Sequence, residues 1–572
     1  MSADGPNRYD PNPRYPAVGG RVRIGWDAGI EGLPRTRTVL AVDGAPTLDW
    51  TRIVDDLQEA SRASGRITVS VDVRRCYAPW PTILERTDAA ELAGDPDFAR
   101  LATATIDVLF EGRPALPADA DVDLLLLFGP GSALSEPDVL WYLEQPKRYA
   151  EAAVVAGIGM HLGQADAANP PTTRRLFYID WPILERHRAD MADRVDRWWD
   201  LQDPVRPTSL SAHTMARTLS ALVHRPFRTR PTFNTTSWGG HWAQRELGMN
   251  PGAPNTALGY ELVAPESGVL VGDDETHQVE VPFQLLVDRH PRMLLGDTVH
   301  EAFGTSFPIR FDYLDTVSGG GLSVHCHPRP AYMSEVFGWS YPQHESYYVM
   351  VGGTDSVIYL GVRGDLDVDE FRRHSEAAQQ SGASFDISRH VQTFPATSHQ
   401  LFLIPAGTPH GSGIGNVVLE VSATPYLYSL RFYDWLRRDA AERRRPVHVA
   451  HAFCNLDRSR QGSRVSADLV PVPRTARSGA GWREEVLGDL PEMFFDVRRV
   501  ALDAGAEVRE DTAGRFHVLN VVDGDGVIID TGDGSSVAVA YAETIVVPAA
   551  VGVYTMRVAG AGSARVVKAY VR

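Results

Sequence analysis

The chain has 572 residues, of which 43% are hydrophobic and 23% are charged. These proportions are typical of a soluble globular protein with about three or four domains. The net charge of −17 argues against a nucleic-acid-binding surface and against docking on anionic membranes. The three cysteines are few and widely spaced, which favours a reducing, cytoplasmic location over a disulfide framework. No run approaches the ~18 apolar residues of a membrane span, and the start of the chain lacks the apolar region of a signal peptide.

The first part of the chain predicts an α/β domain. Residues 1–20 are polar and Pro-rich, and we predict a flexible arm there. Between residues 21 and 203, short apolar runs alternate with amphipathic segments, which predicts a mostly parallel sheet covered on both faces. A helix is predicted over PDFARLATATIDVLF, residues 96–110. The predicted strands lie at 39–44, 66–73, within 121–134, and at 139–146.

The segment VLAVDGAPTLDW, residues 39–50, combines a strand, an Asp-Gly turn and the start of a helix. This half of the chain loosely resembles the uridine-kinase-like P-loop fold over roughly residues 35–200. It lacks the GxxxxGK[ST] loop, with no Lys to reach phosphates and no hydroxyl for Mg²⁺. We therefore predict a structural or regulatory domain that transfers no phosphate, with a nucleotide-binding remnant as the alternative. Asp43, Gly129 and Asp180 are typical of helix caps and turns.

The sequence changes character after residue 203. Residues 204–231 hold one predicted helix between two Pro/Arg-rich stretches, and we interpret them as a linker. The rest is β-rich, with helices predicted at 281–296 and 367–382. Short strands at regular spacing predict two jelly-roll or barrel domains, at 232–445 and 446–572.

The run LSVHCHP carries the clearest chemical pattern. His325 and His327 are two residues apart in a β-prone run, so both imidazoles face one way and Cys326 faces the other. Glu345 opens the strand-like run ESYYVMV, and His410 ends LIPAGTPH. Three His and one Glu are a ligand set that Zn²⁺ or Fe²⁺ accepts, so we predict a metal site.

These motifs belong to a longer ordered series. The second half of the chain, roughly residues 231–572, resembles the type I mannose-6-phosphate isomerases, a family of zinc-dependent double-cupin enzymes. Seven landmarks occur in the family's order, and any single one is weak. They are SWGG, YELVAPESG, FQLLVDRHPRMLLG, LSVHCHP, HESYYVM, LIPAGTPHG and VLEVSATPYLYSLRFYDW.

The resemblance implies a double-cupin fold and one Zn²⁺ per chain, with Fe²⁺ as an alternative. The implied ligands are His325, His327, Glu345 and His410. His325 stands where the family has Gln, a substitution that keeps a metal donor and alters the polarity of the site. Arg431 matches the family's active-site Arg.

A second departure from the family concerns a cation. The family has a Lys before its LSxQxHP motif, and this chain has FPIRFDYLD there. Arg310 and Asp312 share a strand face in that run, so we predict that Arg310 replaces the cation and binds substrate. His344 is predicted to point away from Glu345. Glu266 and His241 are further acid/base candidates, and the general base stays unassigned.

The function implied by the resemblance is aldose–ketose isomerisation of mannose 6-phosphate, or a related sugar phosphate, through a cis-enediol. One alternative is a non-catalytic cupin that binds a sugar phosphate and has a regulatory role. Another is an Fe²⁺ oxygenase, because His and Glu ligands with open positions also suit iron. The expected partner is a sugar-phosphate substrate and not nucleic acid or membrane, and a homo-oligomer is compatible with the sequence.

Overall fold

The structure, a computed structural model, describes residues 8–117, 121–164, 171–423, 426–439 and 442–572. Three regions follow one another: an α/β region and two regions built from paired β-sheets. The fold is mostly β, and helices occur in all three regions. Among the described residues, no helix is both long and apolar enough to cross a bilayer.

The α/β region contains eight strands and seven α-helices within the described residues. The strands are Arg14–Tyr15 (β1), Arg23–Ile24 (β2), Thr38–Gly44 (β3), Thr68–Asp72 (β4), Leu124–Phe128 (β5), Val139–Glu144 (β6), Arg197–Asp200 (β7) and Thr208–Ser211 (β8). The helices are Trp26–Ile30 (α1), Trp50–Ala63 (α2), Trp80–Thr87 (α3), Lys147–Val155 (α4), Thr173–Arg175 (α5), Trp181–Met191 (α6) and Ala212–Leu222 (α7). A π-helical turn, Leu176–Asp180, joins α5 to α6.

Seven of these strands form one sheet in the order β2-β8-β7-β6-β3-β5-β4. The five strands from β7 to β4 run parallel, and β8 and β2 extend one edge antiparallel. The run LLLLF of β5 is buried throughout, as a strand with both faces covered requires. The predicted parallel sheet is therefore present, and its interpretation as kinase-like stays a prediction.

The helix predicted over residues 96–110 is wrong. The segment is irregular except for one 3₁₀ turn, Ile106–Leu109. Asp95 Oδ1 accepts the backbone N–H groups two and three residues on, at 2.9 and 2.7 Å, a turn that competes with helix formation. The N–H of Leu101 donates to the carbonyl of Phe337 in the next region, at 2.9 Å. The backbone of this segment is therefore paired outside a helix.

The second region contains thirteen strands and five α-helices within the described residues. The strands are Thr232–Asn234 (β9), Leu258–Leu262 (β10), Gly268–Gly272 (β11), Gln278–Pro282 (β12), Ile309–Asp315 (β13), Val324–Cys326 (β14), Glu345–Val351 (β15), Val357–Val362 (β16), Val391–Pro395 (β17), Leu401–Ile404 (β18), His410–Ser412 (β19), Val417–Ala423 (β20) and Leu430–Tyr433 (β21). The helices are Phe283–Arg289 (α8), Pro291–Leu295 (α9), Asp297–Phe303 (α10), Pro330–Tyr332 (α11) and Val368–Ser381 (α12).

Two antiparallel sheets of this region face each other. The six-stranded sheet has the order β18-β15-β20-β13-β10-β9, and the five-stranded sheet has the order β17-β16-β19-β14-β21. Tyr347 of the first sheet and His410 of the second have ring centroids 5.6 Å apart, so side chains of the two sheets meet in the space between them. Helices are present at both positions predicted for them, as α8 and α9 and as α12.

The predicted flexible arm differs from the structure over residues 8–20. Tyr9 and Tyr15 are buried. The Tyr9 hydroxyl donates to Glu261, and the Tyr15 hydroxyl accepts the N–H of Arg228 at 2.6 Å. Strand β1 pairs in parallel with β11, which joins β12 to complete a small sheet. These residues therefore pack as part of the core, and residues 1–7 lie outside the described residues.

The third region holds two helices followed by ten strands. The helices are Val449–Asn455 (α13) and Ser463–Leu469 (α14). The strands are Arg474–Gly479 (β22), Trp482–Gly488 (β23), Phe495–Leu502 (β24), Glu507–Asp511 (β25), His517–Asp523 (β26), Gly526–Thr531 (β27), Ser536–Ala540 (β28), Thr544–Val547 (β29), Val553–Val558 (β30) and Ala564–Val571 (β31). They form a sheet β22-β23-β24-β31-β26-β29 and a sheet β25-β30-β27-β28. The domain boundaries given above stay predictions.

An aromatic cluster joins the α/β region to the second region. Tyr178 stacks on Tyr428 with ring centroids 4.7 Å apart. Phe98 contacts Tyr428 and Phe337 at 5.8 and 5.7 Å. Because residues of both regions are buried in this one cluster, the α/β region is held against the end of the second region where the histidines lie.

Candidate metal centre

The four predicted ligands converge between the two facing sheets of the second region. His325 lies in β14, and its cross-strand neighbour is His410 at the start of β19. His327 follows β14 directly, and Glu345 is the first residue of β15 in the opposite sheet. All four side chains are buried. Residues that are 85 positions apart along the chain are thus brought together by strand pairing and by sheet packing.

The donor atoms lie at ligand-to-ligand distances. Glu345 Oε2 is 2.7 Å from His327 Nε2 and 3.4 Å from His410 Nε2. The ligand atoms of His325, His327 and His410 all lie within 4.8 Å of one another. In a tetrahedral zinc site, donors about 2.0–2.1 Å from the ion are separated by about 3.3 Å. The 3.4 Å separation matches this value, and the 2.7 Å separation is a hydrogen-bond distance that lengthens when an ion replaces the proton.

Backbone carbonyls fix the orientation of the three rings. In each ring Nδ1 lies near a carbonyl oxygen, and these contacts assign the proton of the neutral ring to Nδ1. The contacts are His325 to Ser323 at 3.0 Å, His327 to Tyr428 at 3.2 Å and His410 to Thr408 at 2.9 Å. With an ion bound, each Nε2 can direct its lone pair at that ion, the arrangement that metal-binding histidines adopt.

The electrostatics of the cluster favour the forms that bind metal. Burial lowers the pKa of His325 well below its usual range, and His410 and His327 lower it further. Burial also lowers the pKa of His327, although Glu345 acts in the opposite direction. Burial raises the pKa of Glu345, but His410 and His327 outweigh it and hold that pKa well below its usual range. At neutral pH the site therefore presents neutral imidazoles at His325 and His327 and a carboxylate at Glu345.

Two atoms of the cluster are buried without a hydrogen-bond partner among the described residues, His410 Nε2 and Glu345 Oε1. An unsatisfied buried polar group costs about 1–3 kcal/mol, so such atoms call for a partner. Three imidazole nitrogens and a carboxylate suit Zn²⁺, and with open positions they suit Fe²⁺ as well. The residues present therefore fit a divalent metal ion.

A cavity of about 410 Å³ lies beside these donors, a volume in the usual range of small-molecule sites. Gln343, Glu345 and Tyr347 line it from alternate positions along β15 and its approach. The amide atoms of Gln343 and the hydroxyl of Tyr347 are buried without a partner among the described residues. The sequence analysis missed both residues. They lie two residues before and two residues after Glu345, so the alternation of side chains on a strand could have identified them.

Arg431 lies beside the metal position, because its cross-strand partner is His325. Its guanidinium lines the cavity, and Nη1 donates to the carbonyl of Pro446 at 2.9 Å. Burial lowers the pKa of Arg431. The run VLEVSA lies in β20, which ends at Ala423, and Arg431 lies within the separate strand β21; residues 424 and 425 lie outside the described residues.

Arg310 also reaches the cavity, but its charge is already paired. It donates to both carboxylate oxygens of Asp312, at 3.2 and 3.0 Å, and lies 3.2 Å from Glu420. Burial opposes the charge of Arg310, yet Asp312 and Glu420 outweigh it and raise its pKa well above its usual range. Arg310 and Asp312 do share a strand face. The substrate-binding role of Arg310 stays a prediction.

The remaining acid/base candidates do not line this cavity in the part of the chain that the structure describes. His344 Nδ1 accepts the N–H of Ala406 at 3.2 Å, behind the site. His241 Nδ1 contacts Gln244 Oε1 at 2.7 Å. Glu266 lines a smaller cavity at the edge of the α/β region. None of the three is positioned as a ligand to the ion.

The residues considered in the α/β region have structural partners. Asp43 accepts two backbone N–H groups of the loop after β5, at 3.1 and 2.9 Å, and contacts His187 at 2.9 Å. Asp180 contacts His161 at 2.6 Å. Gly129 has a positive φ of 111°, which favours glycine. Asp43 and Gly129 agree with the interpretation as turn residues, whereas Asp180 lies within a continuous helical run and makes no cap hydrogen bond.

Three comparisons relate this chain to known proteins. Residues 25–224 match a family model described as a domain of unknown function (DUF8485). Over 300 residues, 51% of this chain and 83% of the relative, the sequence is 28% identical to "Mannose-6-phosphate isomerase" of Streptococcus mutans. Two solved structures align at TM-scores below 0.5. One is a mannose 6-phosphate isomerase from Bacillus subtilis (TM-score 0.49, 18% identity, 60% of this chain and 99% of that one). The other is a zinc-bound mannose 6-phosphate isomerase (TM-score 0.47, 14% identity, 61% of this chain and 100% of that one). Half of the chain is thus homologous to a protein named mannose-6-phosphate isomerase.

Proposed function

We propose that this protein is a zinc-dependent aldose–ketose isomerase of the double-cupin type. Its proposed reaction interconverts mannose 6-phosphate, or a closely related sugar phosphate, and the corresponding ketose. The observation that carries the proposal is the convergence of three buried imidazole Nε2 atoms and one carboxylate beside a cavity of small-molecule size. The homology with the Streptococcus mutans protein supports the choice of reaction.

His325, His327, Glu345 and His410 would hold the ion. When bound, Zn²⁺ supplies a Lewis acid that polarises carbonyl and hydroxyl oxygens. His325 is an imidazole where the resembled family has an amide, and an imidazole is the commoner zinc donor. The carbonyl contact of its Nδ1 makes Nε2 the ligand atom of this substituted residue.

The other residues of the cavity bind and orient the sugar. The reaction moves a proton between C1 and C2 through a cis-enediol, so negative charge develops on the neighbouring oxygens. Arg431 places a guanidinium in the cavity, and a fixed guanidinium suits such oxyanions. The unpaired amide of Gln343 and hydroxyl of Tyr347 are free to hold sugar hydroxyl groups.

The test uses the full-length protein loaded with zinc, incubated with mannose 6-phosphate without oxygen. We expect fructose 6-phosphate to form, the activity to disappear with a chelator, and Zn²⁺ to restore it. In a parallel aerobic assay with the Fe²⁺-loaded protein, oxygen consumption would instead favour an iron oxygenase. The absence of turnover with every aldose phosphate in a panel would contradict the isomerase.

One observation favours a second candidate, a non-catalytic protein that binds a sugar phosphate. Arg310 is neutralised by Asp312 and Glu420, so the cation predicted to assist at the substrate is engaged by two carboxylates. Calorimetric titration with mannose 6-phosphate separates the two functions. Binding without turnover by the zinc-loaded protein supports the regulatory function, and binding with turnover supports the enzyme.

A further inference from the structure

The α/β region supplies one wall of the cavity of about 410 Å³ that lies beside the histidines. Residues 97–102 belong to the α/β region and contact residues next to β21, the strand that carries Arg431. The hydroxyl of Tyr428 donates to the carbonyl of Ala99 at 3.0 Å, and the ring of Phe98 lies 4.6 Å from that of His448. Asp97 and Phe98 both line the cavity that the histidines and Arg431 line. Ligands in this cavity therefore meet residues of two regions.

This wall is coupled to the site by two short chains of contacts. The carbonyl of Tyr428 faces His327 Nδ1, and Tyr428 packs against Phe98. The backbone of His448 donates to the carbonyl of Arg431 at 2.9 Å, and His448 Nδ1 accepts the N–H of Arg431 at 3.1 Å. The segment that holds Asp97 thus packs against the neighbours of a metal ligand and of Arg431.

Asp97 has a carboxylate that the protein leaves largely unused. The ionisable side chain that contacts it is His448, whose Nε2 is 3.4 Å away. That Nε2 is buried and has no hydrogen-bond partner among the described residues. Because His448 Nδ1 accepts a backbone N–H, Nε2 carries the proton of the neutral ring. An acceptor and a donor therefore lie side by side at the cavity wall.

We propose that Asp97, with His448 Nε2–H, binds hydroxyl groups of the sugar and makes the α/β region part of the substrate site. An acceptor and a donor together match a hydroxyl group, which both donates and accepts. Glu151 of the α/β region also lines the cavity, and two carboxylates repel a phosphate, whereas Arg174 of that region is already paired with Asp88. The hydroxyl-bearing part of the substrate, and not its phosphate, faces this wall. This inference rests on the proposed function for its substrate class.

The test compares Asp97→Asn with Asp95→Asn in the full-length, zinc-loaded protein. Asp95 makes a similar contact between the regions, 2.8 Å to His451, but does not line the cavity. Its replacement by Asn keeps the oxygen that accepts the turn N–H groups. For Asp97→Asn we expect KM and Kd for mannose 6-phosphate to rise about tenfold or more, with kcat within about threefold. Asp95→Asn should match the wild type, and zinc content and Tm should stay similar in all three proteins.

The outcomes separate this inference from the proposed function. Turnover by the wild type, with Kd and KM of Asp97→Asn within twofold of its values, overturns the inference alone. Binding without turnover, weakened by Asp97→Asn, supports the inference and removes the isomerase. A wild type that neither binds nor converts the sugar phosphate overturns both. Equal weakening by Asp95→Asn would show a structural effect of the interface and would also overturn the inference.

Discussion

Glu345 is the anionic donor among the four residues that converge on the metal position, and it contacts two of the three histidines. Replacing Glu345 by Gln removes the charge and keeps the shape. Because loss of even an outer partner of a zinc ligand lowers affinity about 10–100-fold, we expect Glu345→Gln to weaken zinc binding by more than about 100-fold. The measurement is metal content after dialysis against a weak chelator.

The matched control for that experiment is His344→Asn. His344 is the preceding residue, but its imidazole faces Ala406 and does not line the cavity. We expect this variant to retain zinc at the wild-type level. Equal zinc content in wild type and Glu345→Gln would remove Glu345 from the ligand set.

Substitutions of Arg431 test the catalytic part of the proposed function, and the quantity measured is kcat. Loss of one oxyanion-stabilising donor costs about 10²–10³-fold in kcat, and we expect this for Arg431→Ala. Arg431→Lys keeps the charge but loses the planar fork of donors, so its activity should lie between those of the wild type and the Ala variant. Zinc content should not change, because Arg431 is not a ligand. Arg438→Ala, at an exposed position nearby, is the control. An unchanged kcat in Arg431→Ala would exclude Arg431 from the mechanism.

At the scale of elements, the segment that precedes strand β1 contacts a buried carboxyl group on β10, because the Tyr9 hydroxyl donates to Glu261. Burial raises the pKa of Glu261 to about 7, although Arg228 and Tyr9 act in the opposite direction. An unfolded Glu titrates near a pKa of about 4.3, so the folded state binds more protons between these values. The contribution of this group to the free energy of unfolding is full below about pH 4 and is lost as the pH rises through about 7, by about 4 kcal/mol in total.

Glu261→Gln removes this titration. We expect the wild type to lose more thermal stability than Glu261→Gln when the pH rises from about 5 to about 8. The measurement is Tm by calorimetry at both pH values. Glu507→Gln, at an exposed position, should behave like the wild type. Parallel pH dependence in wild type and Glu261→Gln would show that this carboxyl group does not titrate as described.

The segment at residues 96–110 shows why one element escaped prediction. Its composition favours a helix, but propensity contributes less than about 1 kcal/mol per residue and tertiary contacts override it. Asp95 begins a turn, and Leu101 pairs with Phe337 of another region. The conflict between local pattern and structure falls at a wall of the candidate site, where such conflicts are expected.

At the scale of the whole molecule, the second region covers the edge of the parallel sheet where α/β folds bind ligands. That edge lies at the carboxyl ends of β3 and β6. The cavity there is about 50 Å³, far below the roughly 300 Å³ of small-molecule pockets. Pro265, Glu266 and Ser267 of the second region contribute to its lining. The space beside the ends of β3 and β6 is therefore too small for a nucleotide.

We therefore expect no nucleotide-dependent phosphate transfer by the full-length protein. The segment after β3 has no P-loop Lys, a major stabiliser of charge in phosphoryl transfer. The measurement is ADP or GDP formation with ATP or GTP and Mg²⁺, with and without a sugar acceptor. Turnover that Asp43→Asn abolishes would contradict the prediction and would favour a nucleotide-binding remnant.

Sequence by itself determined the features that depend on near neighbours in the chain. The alternation of side chains on a strand placed His325 and His327 on one face and Cys326 on the other. The buried run LLLLF predicted a covered parallel strand, and the ordered landmarks around Glu345 and His410 indicated four ligands. These inferences need only periodicity or short motifs, which a strand preserves regardless of its surroundings.

Only the tertiary structure decided which distant groups share a cavity. Asp97 lines the same cavity as His325 and His327, although more than two hundred residues separate them along the chain. Packing of Phe98 on Tyr428 and His448 brings it there. The charge on Arg310 could be judged only once Glu420 was seen beside it. Contacts between regions depend on shape and burial summed over many residues, and no local period in the sequence encodes them.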